Sequence, residues 1–263
     1  MPPLDLTLLA LCVSAFFAGA MNSIAGGGTL LTFPALTGVI SPAFANGTST
    51  IALMPGSIAG SIGYWNELKK SWRFVLRMFI PSLVGGFLGA YLVGQDKEAF
   101  ADLVPWLILT AAVLFVVQGP VSKWLKSRSS VGGVQPEEHK PNWVTLTLAI
   151  GFQFLVAIYG GYFGAGIGIL MLSTLGFMGV GDIHRMNAVK TFLATTINAA
   201  AVVVFIRDGL VNWSYAIPMA VMAIIGGYAG ARVALRLPAK YVRYSVIAIG
   251  FGLSAYYFIR RYG

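Results

Sequence analysis

Two short polar runs interrupt an otherwise apolar chain, Asn46-Gly47-Thr48-Ser49-Thr50 and Asn187-Ala188-Val189-Lys190-Thr191. Each follows a glycine element. The first is Ala25-Gly26-Gly27-Gly28-Thr29-Leu30-Leu31, and the second is Ala165-Gly166-Ile167-Gly168-Ile169-Leu170-Met171, with Gly164 just before it. Amides and hydroxyls can orient the oxygens of a ligand. Glycine lets backbone N–H groups approach closely, and a helix that begins at a glycine break presents the positive end of its dipole. The chemistry on offer is therefore the binding of a small anion.

Lys190 stands apart. It lies about two turns, roughly 12 Å by helix rise, inside its segment, where an unpaired ammonium is expensive. No acid is placed to neutralise it at depth: Asp182 stands at the start of the segment and Asp5 is far along the chain. A substrate anion is one partner for it, and snorkelling toward the membrane interface is the alternative. His184 and Arg185 precede it near the entrance, where they either draw anions in or mark a helix end. The substrate-binding candidates are Gly26, Gly27, Gly28, Thr29, Asn46, Thr48, Ser49, Thr50, Gly164, Gly166, Gly168, Asn187, Lys190 and Thr191, with His184 and Arg185 at the entrance.

Other chemistries find little support. Only 2 histidines are present and they are far apart, no intramembrane carboxylates pair, and no metal-ligand spacing occurs, so a hydrolase, redox or metal function is not expected. The glycine elements lack the Lys-Ser or Lys-Thr ending of a phosphate-binding loop, which leaves ATP drive unsupported. The expectation is a protein that is not an enzyme and carries no cofactor. The lone cysteine, Cys12, sits in an apolar run and makes no disulfide framework.

The elements that must position these groups are membrane helices. The chain is 57% hydrophobic and 10% charged, the composition of an all-α polytopic membrane protein whose first partner is the lipid bilayer. Its net charge of +9 lies in short loops between apolar runs, which reads as topology signalling and excludes nucleic acid as a partner. Residues 4–24 form an apolar segment. No Lys or Arg precedes it, so it is expected to be retained and not cleaved as a signal peptide. After the glycine break residues 29–40 form a segment too short to cross roughly 30 Å of hydrocarbon comfortably, and the two read as a broken hairpin. Segments at 44–65, 72–94 and 103–120 follow, then a polar linker at 121–141. The second half repeats the order with 142–163, 167–179, 183–206, 213–235 and 240–259, so the domains are 1–120, a cytoplasmic linker 121–141, and 142–263.

The halves are two copies of one unit. The glycine elements align at an offset of 140, and an offset of 141 brings Asn46 onto Asn187, Thr50 onto Thr191, Trp72 onto Trp213, Met78 onto Met219 and Gly85-Gly86 onto Gly226-Gly227. Loop charge sets their orientation. Lys69, Lys70, Arg73 and Arg77, then Lys123, Lys126, Arg128 and Lys140, then Arg232, Arg236, Lys240 and Arg243 mark cytoplasmic loops, whereas 94–102 and 207–212 are poor in cations. The segment at Trp72 then enters from the cytoplasm and its counterpart at Trp213 from the opposite side. The reading is two inverted-topology repeats, each a broken Gly-rich helical hairpin plus three transmembrane helices, with two parallel four-helix halves as the alternative. Gly56-x-x-x-Gly60, Gly85-x-x-x-Gly89 and Gly226-x-x-x-Gly230 allow close helix approach within the chain or in a homodimer. Trp72, Trp106, Trp124, Trp143 and Trp213 fall near segment ends, as interface anchors do.

At these residues the chain resembles the TauE/SafE family of sulfite and organosulfur-anion exporters. The likeness lies in Ala25-Gly26-Gly27-Gly28-Thr29-Leu30-Leu31-Thr32-Phe33-Pro34 with Asn46-Gly47-Thr48-Ser49, and in Gly160-Gly161-Tyr162-Phe163-Gly164-Ala165-Gly166-Ile167-Gly168 with Asn187-Ala188-Val189-Lys190-Thr191. The second copy departs where Ile167 interrupts the glycines. The resemblance implies secondary transport of sulfite or a short organosulfonate across a bacterial inner membrane. Alternating access would come from rocking of one half against the other, with coupling through a proton or ion, His184 or the protonation of the substrate. An anion channel of the same architecture, or a carrier of another small oxyanion or carboxylate, remains open beside it.

Overall fold

The structure is a computed structural model, and it describes residues 6–24, 27–130, 143–178, 183–233 and 239–262, with some side chains near the ends of these stretches left aside. Among the described residues the regular structure is helical: α1 (Leu6–Ile24), α2 (Thr29–Thr37), α3 (Pro42–Gly63), α4 (Trp65–Lys70), α5 (Trp72–Gln95), α6 (Lys97–Ser130), α7 (Trp143–Tyr162), α8 (Ile167–Phe177), α9 (Ile183–Arg207), α10 (Trp213–Val233) and α11 (Ala239–Tyr262). The apolar segments become helices because backbone polar groups in hydrocarbon must find partners within their own segment. The stretches 72–95, 97–121 and 184–207 are long and apolar enough to cross a membrane. Leu6, Ile80, Leu148, Val203, Ile217 and Ile259, each more than half exposed, turn apolar side chains outward as lipid-facing surfaces do.

The structure departs from the sequence reading at α4 and at both ends of α6. α4 is an extra turn and a half in a loop expected to carry only charge. Lys70 pairs there with Glu67 at 2.7 Å and Lys69 lies 5.4 Å over the Trp65 ring. α6 begins at Lys97, ahead of the expected 103, because Asp96 Oδ1 accepts the Ala99 N–H at 2.8 Å and so caps the helix there. It also runs on to Ser130, so 121–130 of the expected linker is helix and the remainder lies outside the described residues.

Packing follows small residues. α5 lies on α7 and α1 on α10, in both cases with glycine at the contact. A methyl group on Gly85 would fall 2.7 Å from the Phe154 carbonyl, one on Gly89 would overlap the Ile158 carbonyl, and one on Gly226 would overlap the Phe16 carbonyl. Gly85 and Gly226 are the residues that the 141 offset superposes. Gly56, by contrast, has open space where a side chain would stand.

α3 crosses α9, with Gly47 against Phe205 and Leu210 at one end and Gly60 against Thr191 at the other. Thr195 Oγ1 donates to Ser57 O at 3.1 Å and lies 2.8 Å from Ser61 Oγ, so the two helices run antiparallel. α6 and α11 are antiparallel as well: Ala112 meets Gly250, Ser254 Oγ donates to Pro105 O at 3.2 Å, and the Trp106 and Phe258 rings sit 4.8 Å apart.

The larger core cluster surrounds Phe33, Phe100, Phe115 and Phe163. Phe33 meets Phe163 edge to face at 5.1 Å and Phe100 at 6.4 Å, contacts worth about 0.5–1.5 kcal/mol each beyond area burial. A second cluster centred on Met78, Ala157, Leu193 and Ile197 fills the space between α5, α7 and α9. Beside it Gln153 Nε2 donates to Ser82 Oγ at 2.9 Å, which satisfies two buried polar groups together.

Candidate functional site

The first break separates α1 from α2. Gly27 takes φ of +90°, a left-handed conformation that side chains disfavour, and the Phe115 ring of α6 occupies the place of a side chain. α2 then folds back on α1: Gly28 N–H donates to Asn22 Oδ1 at 2.8 Å and Ser14 Oγ donates to Leu31 O at 2.9 Å. The leading amide of α2 is thus capped by a side chain. Thr32 Oγ1 and Ser49 Oγ lie 2.6 Å apart and tie α2 to α3.

The second break separates α7 from α8. Gly164 and Gly166 have φ of +81° and +83°, and Gly166 packs on Ala111 and Leu114 of α6. Both breaks therefore lean on one stretch of α6, Ala111 to Phe115. Unlike its counterpart, the start of α8 stays open. Ile169 N–H donates to Gly166 O at 3.0 Å, and among the described residues no side chain caps the amides ahead of it as Asn22 does at α2.

Lys190 crosses this open end. Its Cδ lies 3.2 Å from where a methyl group on Gly168 would stand, and its Nζ donates to Asn187 Oδ1 at 3.1 Å. Among the described residues no carboxylate bridges it. A lysine laid over a helix start, with glycine in place of a side chain, can bring its ammonium and the helix-start N–H groups to one oxyanion by charge-assisted hydrogen bonds.

The other sequence candidates divide. Asn46 is buried and its Nδ2 donates to Tyr162 O at 2.9 Å, so the polar run of the first half meets the break of the second. Thr48 Oγ1 accepts the Asn212 N–H at 3.0 Å and Thr50 Oγ1 donates to Asn46 O at 2.8 Å, so both hydroxyls have structural partners. Thr29 opens α2 half-buried, and Thr191 rests its methyl 3.4 Å from the place of a Gly60 side chain. His184 is exposed and Arg185 half-buried in the first turn of α9. Gly26 lies outside the described residues.

Sequence reasoning passed over Asn22, which caps α2, and Asn198, whose Oδ1 lies 4.0 Å from the place of a Gly164 side chain. The signal for each was an amide inside an apolar run.

Helices with outward apolar faces, two of them interrupted by glycine where the halves meet, define a multi-pass integral membrane protein of the transporter class. The chain belongs to the TauE/SafE family: the family described as Sulfite exporter TauE/SafE matches residues 11–257. It is 30% identical over 258 residues to the probable membrane transporter protein ORF9 of Sinorhizobium sp, covering 97% of this chain and 94% of that protein. It is 26% identical over 259 residues to a probable membrane transporter protein of Haemophilus influenzae, covering 96% and 94%. The probable membrane transporter protein YfcA of Escherichia coli K12 is 26% identical over 247 residues, covering 92% and 86%. The chain is accordingly a membrane transporter of the TauE/SafE type.

Proposed function

We propose that this protein is a secondary transporter that exports sulfite or a short organosulfonate across a bacterial inner membrane. The anion binds where Lys190 crosses the open start of α8. That placement is the observation that carries the reading: a lysine with one amide partner and, among the described residues, no carboxylate lays its stem on the glycine at the head of α8. The family description, a sulfite exporter, supports the substrate class. Because Gly28 is capped by Asn22 and Ser49 is held by Thr32, the anion is gripped by the second half, and the first half contributes the stretch of α6 on which the break rests.

Inverted repeats fit the packing. α3 and α9, counterparts under the repeat, run antiparallel, and so do α6 and α11, as two copies inserted in opposite senses would. Access alternates as the site opens to one side at a time, while the lipid bilayer seals the outward faces.

Purified protein reconstituted in liposomes tests the whole reading. Uptake of radiolabelled sulfite that saturates and shows counterflow, competed by methanesulfonate, is the expected result. Conductance far above carrier turnover would replace the carrier with an anion channel, and no sulfite flux of either kind would refute the substrate.

A further inference from the structure

The C-terminal end of α7 gathers acceptors that meet no donor. Asn46 is 1% exposed, and because its Nδ2 donates to the Tyr162 carbonyl, the two ends of the amide are distinguished. Its Oδ1 is left buried without a hydrogen-bond partner. The Tyr159 carbonyl accepts the Phe163 and Gly164 amides, whereas the carbonyls of Gly160 and Gly161 accept from no described residue. Where Gly164, at φ of +81°, lacks a side chain, the nearest atoms are the Gly160 carbonyl oxygen at 3.0 Å and Asn198 Oδ1 at 4.0 Å. Asn198 makes no hydrogen bond with any described residue.

The free groups of Asn46, Gly160 and Gly161 are neutral oxygens, the unbonded amide of Asn198 turns its oxygen toward them, and the helix end behind them carries the negative pole of its dipole. A deprotonated sulfonate has only acceptors to offer and is repelled there. A hard cation is complementary, and carbonyl-type oxygens without a carboxylate suit a single positive charge better than a double one. Interrupted helices elsewhere use such freed carbonyls for this purpose.

We propose that the end of α7 is a binding site for a sodium-sized monovalent cation, with Asn46 Oδ1 and Asn198 Oδ1 as its side-chain ligands and the freed carbonyls of α7 completing it. Lys190 lies eight residues before Asn198 on α9, roughly 12 Å by helix rise. Cation and anion can therefore be held at once, each favouring the other. The inference rests on the transporter reading and names its coupling ion.

Binding of ²²Na⁺ to the purified full chain, in choline chloride at constant ionic strength, tests it. Saturable binding is expected, weakened about tenfold or more in Asn198→Ala, which loses no described hydrogen bond by the change, and weakened likewise in Asn46→Ala, which removes the orphan oxygen together with the bond to Tyr162. No saturable ²²Na⁺ binding, or binding unchanged in both variants, overturns the site and leaves an ordered water as the partner of Asn46. The same preparations titrated with sulfite separate the two readings. Sulfite binding without ²²Na⁺ binding removes the cation site alone, whereas ²²Na⁺ binding without sulfite binding removes the anion reading and leaves this one standing.

Discussion

Replacing Lys190 with methionine deletes the ammonium while keeping an unbranched stem over Gly168, where the lysine Cδ passes 3.2 Å from the place of a side chain. Packing is retained, while the charge and its hydrogen bond to Asn187 are lost. A hydrogen bond to a charged group contributes about 1.5–3 kcal/mol, which at 1.4 kcal/mol per decade is roughly a 10- to 100-fold rise in sulfite Kd. Without ligand the opposite sign holds for stability. The ammonium of the parent has Asn187 as its one polar partner among the described residues, so its desolvation is poorly offset, and Lys190→Met unfolds in detergent at an equal or higher temperature. Scintillation-proximity binding with ³⁵S-sulfite, beside thermal unfolding of the same preparations, reads both effects. A variant that binds sulfite within twofold of the parent refutes the assignment, and one that loses binding only because it unfolds early refutes the stability argument.

Three further outcomes are expected. Gly89→Ala overlaps the Ile158 carbonyl and should lower stability by about 1–3 kcal/mol or more, whereas Gly56→Ala, facing open space, should be neutral or gain up to ~1 kcal/mol from helix propensity; thermal unfolding compares them. In a Cys12→Ser background, Ser41→Cys should react with an impermeant maleimide from outside intact cells and His184→Cys only after permeabilisation; labelling of both from one side would exclude inverted halves. Gln153→Leu breaks the buried bond to Ser82 and should cost about 0.6–2 kcal/mol without changing sulfite affinity, measured by unfolding and by binding.

Most helices were legible because an apolar run bounded by charge or glycine has one stable outcome in hydrocarbon, so α3, α5, α7, α9 and α10 fall within a few residues of their expected spans. The early start of α6 was also readable, since Asp96 followed by Glu98 is a helix-opening pattern, but the charges at 94–102 drew the reading toward a loop. Its run through Pro120 was not readable, because proline in the interior normally ends a helix. At the site, Lys190 and the glycine breaks stood out by type. What the linear pattern hid was which break is already occupied: Asn22 and Ser49 close the first through contacts across 6 and 17 residues, and composition alone does not reveal a cap.

The glycine contacts of α5 with α7 and of α1 with α10 bring backbone against backbone, and each joins a helix of one half to a helix of the other. Such seams hold few side chains that could change rotamer to let them slip. If access alternates, each locked pair must travel as a piece, so the bodies that move are mixed bundles drawn from both copies, and the boundary of motion does not follow the boundary of the repeat.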